Sequence, residues 1–411
     1  MSGSRAWLNR NVAAMGATSL LSDASHEAAT AVLPGFLAAL GLPPAALGLI
    51  EGVADALASF LKLGAGWLGD RTGHRWGLAV GGYTLTGLMP LAFVLAMSWP
   101  LVFAGKLLGW AGKGIRGPLR DAILTESVPA EARGRAFGFH RAGDTIGAII
   151  GPLLGAAILA GSGATVSTDA FRTVFIVSLG FGILAAVTFA VFVRDPGSRA
   201  THGLGLVGAM RSFAAPFRRF LLAVGLFGMG DFAPSLLILA ATTLLTPSLG
   251  IVEAGAVAAL LYVVRNVVYA LGSFPVGAFS DRGGSRIRLL AGGYALGALV
   301  ATGTAAAFVL AINSVAWFAL LFLLSGVLAA VQDTLEGVIT AQLGGAEARA
   351  TAFGALGAVN GTGDLVASAG VGLIWTVVSP VLAFTLASVA MGAGAVGLLV
   401  AGRDGGYGSA R

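Results

Sequence analysis

The sequence predicts an all-α membrane protein in which twelve transmembrane helices form two pseudo-symmetric six-helix bundles. Three observations carry that expectation. The 411 residues are 56% hydrophobic and 11% charged, with a mean hydropathy of +0.88, whereas a soluble domain is about 25% charged. Apolar stretches of the length that crosses a bilayer, about 20 residues per helix, recur twelve times. Two short polar segments of the first half also return, in the same order, in the second.

The stretches run from 9 to 39, 45 to 68, 75 to 97, 100 to 127, 133 to 161, 171 to 193, 218 to 246, 251 to 278, 288 to 311, 314 to 342, 348 to 376 and 380 to 402. The chain's 63 glycines suit lipid, where small residues let helix backbones approach closely. The absence of cysteine excludes disulfides and thiolate metal sites. Met1 to Arg10 runs directly into a long charged span, so no cleavable leader is expected.

An ionisable side chain at mid-bilayer costs about 2.5–3.5 kcal/mol on insertion scales and is a functional candidate by default. In the first span, "SDASHE" sets Asp23, His26 and Glu27 at i, i+3 and i+4, one face of a helix. Glu51 and Asp55 share a face of the second span; His140 and Asp144 share one in the fifth, with Arg141 beside them. At about 1.5 Å per residue, Asp23, Asp55 and Asp144 lie roughly 15–21 Å into their spans, near the midplane. Asp23, Glu27, Glu51, Asp55 and Asp144 are the candidate proton-coupling carboxylates.

The fourth span ends in "GKGIRGPLRDAILTES" (112 to 127). Its Gly-Lys pair is not a phosphate loop, which needs glycine five positions earlier and Ser or Thr after the lysine; Leu107 and Gly114 stand there. Lys113 and Arg116 are expected to partner the acids or a substrate anion. Arg120, Asp121 and Glu126 are expected to bond to the loop around Asp70 and Arg71, and Lys62 to snorkel or to be paired. The second half is sparser, with Asp231, Arg265, Asp333, Glu336 and Asp364. His26, Lys113, Arg116, His140, Arg141, Asp231, Arg265, Asp333 and Glu336 make up the candidate substrate or charge network.

The polar interval from 194 to 217 divides the chain into an N-terminal bundle (1 to 193) and a C-terminal bundle (218 to 411). "GWLGDRTGHR" (66 to 75) returns as "GAFSDRGGSR" (277 to 286), and "AEARGRAFG" (130 to 138) as "AEARATAFG" (346 to 354). Matched spacing argues for duplication. Basic residues crowd one set of loops while the opposite set holds only Arg172, which predicts cytoplasmic termini in a multi-pass plasma (inner) membrane protein. The net charge of +6 reflects that bias, so nucleic-acid binding is not needed to explain it.

These residues resemble the major facilitator superfamily. Gly66, Asp70, Arg71, Gly73 and Arg75 match its signature between the second and third spans, and Gly277, Asp281, Arg282, Gly284 and Arg286 match it again. Gly138, Gly147, Gly151, Pro152 and Gly155 fit a fifth-span motif linked to proton antiporters, with Ala156 for its last glycine. The fourth-span arginine motif is altered, with Lys106 for arginine and Trp110 for glycine. "GKGIRGPLRDA" and "FGFHRAGDTIGA" are similar to a bacterial subgroup of these permeases. The resemblance implies gating roles for Gly66, Asp70, Arg71, Arg75, Asp281 and Arg282, with Gly151 and Pro152 as a packing and gating device. Arg120, Asp121 and Glu126 join the gating set as a charge network at the helix end.

The expected function is secondary active transport by alternating access: proton antiport exporting a small solute, by a monomer, without cofactor or resident metal. Proton-coupled uptake is the first rival. Divalent-metal export through Asp23, His26, Glu27, His140 and Asp144 is a second, opposed by Arg116 and Arg141. A membrane-embedded enzyme is remote, since no metal-hydrolase spacing appears, and a receptor would leave the duplicated gating signatures without purpose.

Overall fold

The structure, a computed structural model, describes residues 7–72, 74–129, 132–162, 168–196, 213–281, 285–343 and 349–404. Among the described residues are thirteen α-helices and no strand: α1 (Arg10–Ala39), α2 (Pro44–Thr72), α3 (Arg75–Leu95), α4 (Trp99–Glu126), α5 (Arg133–Gly161), α6 (Thr168–Phe192), α7 (Ala215–Gly228), α8 (Pro234–Leu249), α9 (Ile251–Asp281), α10 (Arg286–Val309), α11 (Val315–Leu343), α12 (Arg349–Val377) and α13 (Pro380–Asp404). Eight of them, α2, α3, α5, α6, α9, α10, α11 and α13, hold stretches long and apolar enough to cross a membrane. Helices α1, α4 and α12 are as long but more polar.

Local chemistry sets the helix ends. Pro44, Pro234 and Pro380 open α2, α8 and α13, where a missing amide costs nothing. Asn9 caps α1 by accepting from the Val12 amide at 3.1 Å. Gly41 after α1 and Gly250 after α8 take φ of +71° and +78°, a left-handed conformation that glycine adopts without strain. These two turns hold corresponding places in the two halves.

The seventh span corrects the sequence expectation of one continuous helix from 218 to 246. Helix α7 stops at Gly228 and α8 starts at Pro234. Gly228 and Gly230 weaken the helix, and a residue before proline is pushed out of helical geometry, so Ala233 leaves the ladder. Its amide is taken instead by Ser368 Oγ of α12, at 3.0 Å.

The helices gather into two compact units. The first holds α1, α2 from Leu57, α3 to α6 and Gly250–Val263 with the start of α9; the second holds Pro43–Ala56 with the start of α2, α7, α8 and the chain from Val264 onward. Within the first, α1 packs on α5 and α6, α3 packs on α4 and α6, and α5 meets α6. Within the second, α7 packs on α12 and α13, α10 packs on α11 and α13, and α12 meets α13. The packing list repeats once α7 and α8 are read as one interrupted helix, as duplication requires.

Each unit buries a tyrosine from a repeated "GGY", residues 81–83 and 292–294. Tyr83 lies 4.6 Å from Phe189, centroid to centroid, and Tyr294 stacks on Phe227 at 3.7 Å. The α1–α5 contact runs along glycines. A Cβ at Gly147 would strike the Leu20 carbonyl, and one at Gly151 would come within 2.5 Å of the Ala24 carbonyl oxygen. Gly155 is looser, 3.1 Å from Val32, and Gly138 has nothing within 4 Å. Pro152 sits inside α5 without ending it.

Candidate functional site

Ser19, Ser22, Asp23, His26 and Glu27 recur at helical spacing and form a polar stripe along α1. Three helices supply its partners. From α4, Arg116 donates to Ser22 Oγ at 2.6 Å, comes within 3.8 Å of Asp23 Oδ1 and lies 4.4 Å over the Tyr83 ring. Removing a guanidinium from water costs several kcal/mol, and these three contacts together offset that cost.

His26 stands between charges. Its Nε2 is 3.1 Å from Lys113 Nζ and 3.3 Å from Glu27 Oε1; its Nδ1 is 3.0 Å from the Ser22 carbonyl and 3.4 Å from Asp23 Oδ1. A lysine ammonium can only donate, so Nε2 accepts from Lys113 and Nδ1 carries the proton given to Ser22. From α9, the Tyr262 hydroxyl donates to Glu27 Oε2 at 2.8 Å. Trp110 separates two cations, with Lys106 Nζ 3.7 Å and Lys113 Nζ 5.1 Å from its ring centre. Lys106 is fully buried, where a cation–π contact is worth about 2 kcal/mol.

On α5, buried His140 meets Ser19 Oγ at 2.7 Å through Nδ1 and Asp144 Oδ2 at 3.4 Å through Nε2. Arg141 comes within 3.8 Å of Asp144, but its own side chain is 73% exposed. At the C-terminal end of α4, Glu126 pairs with Arg75 at 2.6 Å, and Arg120 pairs with its neighbour Asp121 at 2.9 Å. Glu126 thus reaches the loop signature through Arg75. The surroundings of Gly66, the side chains of Asp70, Arg71 and Asp281, and all of Arg282 lie outside the described residues.

The second unit contains a cavity of about 290 Å³ lined by Asp55, Asp231, Arg265, Ser325, Gln332, Asp333, Asn360 and Asp364, among others. The interruption between α7 and α8 places Asp231 there, and Gln332 donates to its Oδ2 at 2.8 Å. Arg265 donates to Ser325 Oγ and Asn266 Oδ1, both at 3.2 Å, and Tyr269 donates to Asp333 at 2.7 Å. Glu336 is buried and accepts from Tyr294 and Asn360, each at 2.7 Å. Half-helix ends at such a break present carbonyls on one side and amides on the other. Glu51 is buried one turn before Asp55. Among the described residues, no group of three or more His, Asp and Glu converges as a metal site.

The structure therefore gathers Asp23, His26, Glu27, Lys113, Arg116, His140, Arg141 and Asp144 in the first unit. It gathers Asp55, Asp231, Arg265 and Asp333 around the cavity of the second. Sequence reading missed Ser19, Ser22, Gln332 and Asn360, whose spacing relative to the acids was the available signal. It also missed Tyr262, for which local sequence held none.

A family model described as the Major Facilitator Superfamily matches residues 15–255. The chain is 29% identical over 385 residues to an uncharacterized MFS-type transporter of Methanocaldococcus jannaschii, covering 93% of this chain and 92% of that one. It is 24% identical over 172 residues, 42% of each chain, to the quinolone resistance protein NorA of Staphylococcus aureus. Among solved structures, a mutant of the nucleoside transporter NupG superposes with a TM-score of 0.77 at 14% identity, covering 96% of this chain and 99% of that one.

Proposed function

The chain belongs to the Major Facilitator Superfamily, a family of transporters and not of enzymes, and from that premise we propose that it is a proton-coupled antiporter exporting a small solute. The observation that carries the reading is the α1 stripe. Two carboxylates, a histidine, a lysine and an arginine are held together there inside a multi-pass membrane protein, at a cost that packing alone does not repay. A carboxylate's proton affinity follows its partners and its access to water, so a group that changes both during alternating access can load a proton on one side and release it on the other.

Export is supported by the fifth-span glycine series and by the stretch shared with NorA, a protein named for quinolone resistance. The cavity of the second unit is the proposed solute wall, with Asp231, Arg265, Gln332 and Asp333 as its polar contacts. Solute contacts on the second unit and proton carriers on the first divide the work. The crowding of basic residues on one set of loops supports cytoplasmic termini in the plasma (inner) membrane, and the working unit is proposed to be a monomer.

The test is accumulation in everted vesicles, with and without an imposed pH gradient, of a panel comprising a quinolone, a cationic dye, a nucleoside and a dipeptide. At least one compound should concentrate only while the interior is acid. Accumulation indifferent to the gradient, or solute movement in the same direction as the proton, would remove the antiport reading.

A further inference from the structure

Tyr262 belongs by sequence to the second half of the chain, yet its hydroxyl bonds to Glu27 of α1 at 2.8 Å. It lies near the end of the α9 segment, Gly250–Val263, that packs as part of the first unit. The same segment approaches α1 at Gly35, where an added Cβ would lie 3.8 Å from Gly255 Cα. We propose, resting on the proton-coupled reading above, that Glu27 and Tyr262 form the coupling latch: ionised Glu27 holds the Gly250–Val263 segment against α1, and a proton on Glu27 lets it go.

The chemistry follows from donor counting. A phenol donating to a carboxylate makes a charge-assisted bond, about twice as strong as a neutral one. Protonation on Oε1 removes that charge and leaves Oε2 the carbonyl oxygen of a neutral acid, which accepts from the phenol only as a weaker, neutral hydrogen bond. His26 supplies the route. A proton arriving from water at Nε2 displaces the Lys113 contact and turns N–H toward Glu27 Oε1, 3.3 Å away. Transfer to Oε1 leaves His26 neutral, restores its bond from Lys113 at 3.1 Å and leaves Glu27 as the neutral acid. One proton enters and one proton is held.

The titratable and charged groups facing Glu27 are His26 on its own helix, Lys113 on α4 and Tyr262 on α9. The next ring holds Asp23 with its neighbours Arg116 of α4 and Asp144 of α5. Lys113 fixes the starting tautomer of His26, while Arg116 is engaged with Ser22 and Asp23. Tyr262 is therefore a positioning residue that reports the charge of Glu27 to α9.

Because the chain contains no cysteine, one introduced thiol is its only thiol. Ala259, one turn before Tyr262, is fully buried. The experiment follows alkylation of Ala259→Cys by N-ethylmaleimide in the purified full chain across the acid-to-neutral range. Rates are expressed relative to Ser98→Cys, which is on an exposed turn, to cancel the thiol's own titration. Relative labelling should rise about tenfold as pH falls, the equivalent of one hydrogen bond to a charged group. Adding Tyr262→Phe or Glu27→Gln should make it fast at every pH, with unfolding temperatures confirming that both variants fold. A pH dependence that survives Tyr262→Phe, or none in the Ala259→Cys protein itself, overturns the latch. If labelling is insensitive to pH while a gradient still drives export, the latch alone fails; if the latch behaves and no gradient drives flux, the antiport reading fails alone.

Discussion

Arg116 shows how a single side chain ties charge to fold. It is 3% exposed, and its guanidinium joins Ser22 and Asp23 of α1 to Tyr83 of α3. Removing one member of a buried pair strands the other, at about 3–5 kcal/mol, whereas removing both with apolar or neutral groups is close to neutral. Arg116→Met should therefore lower the unfolding temperature in detergent markedly, and Arg116→Met with Asp23→Asn should recover most of the loss; equal losses in both would show that the pair is not coupled. Residues of this kind were legible in the sequence because helical spacing alone put Asp23, His26 and Glu27 on one face. Tyr262 was not, since its partner is 235 positions away and a tyrosine in a span reads as an ordinary amphipathic aromatic.

Between helices, backbone approach decides what fits. The glycines of α5 were legible as a series, but the series does not say which members face α1. Gly151 does, and Gly138 does not. Gly151→Ala should cost about 1–3 kcal/mol, the usual range for overpacking, while Gly138→Ala should be neutral or stabilise by up to about 1 kcal/mol from helix propensity. Unfolding midpoints of the two variants in the same detergent check this; similar values would mean that the α1–α5 contact yields to an added methyl. The break between α7 and α8 was missed because apolar counting ignores backbone geometry. Its signal was present in Gly228, Gly230 and Pro234 around Asp231, a punctuation that marks binding sites in discontinuous transmembrane helices.

Across the whole molecule, duplication preserves the scaffold and not the chemistry. The packing partners of α1, α3 and α6 recur for α7, α10 and α13, and both units bury the tyrosine of a "GGY". Yet Tyr83 lies under a cation, Arg116, while Tyr294 donates to an anion, Glu336. Hydropathy and repeated loops made the scaffold legible, because burial in lipid constrains every span alike. The charges diverged between halves, and their grouping depends on which helix faces which, information that no single span carries. The two units thus carry different polar groups, on which the proposed division of proton and solute sites rests.

Proton coupling by the membrane-embedded carboxylates is tested most directly by comparing gradient-driven accumulation with downhill exchange of a compound that the parent protein concentrates, in vesicles carrying Asp23→Asn, Glu27→Gln, Asp144→Asn or Asp55→Asn. At least one of these variants should lose gradient-driven accumulation while exchange persists, because a fixed neutral side chain cannot carry the proton but leaves the helices free to alternate. If all four variants concentrate the compound as the parent does, these carboxylates are structural and the proton-coupled account is contradicted.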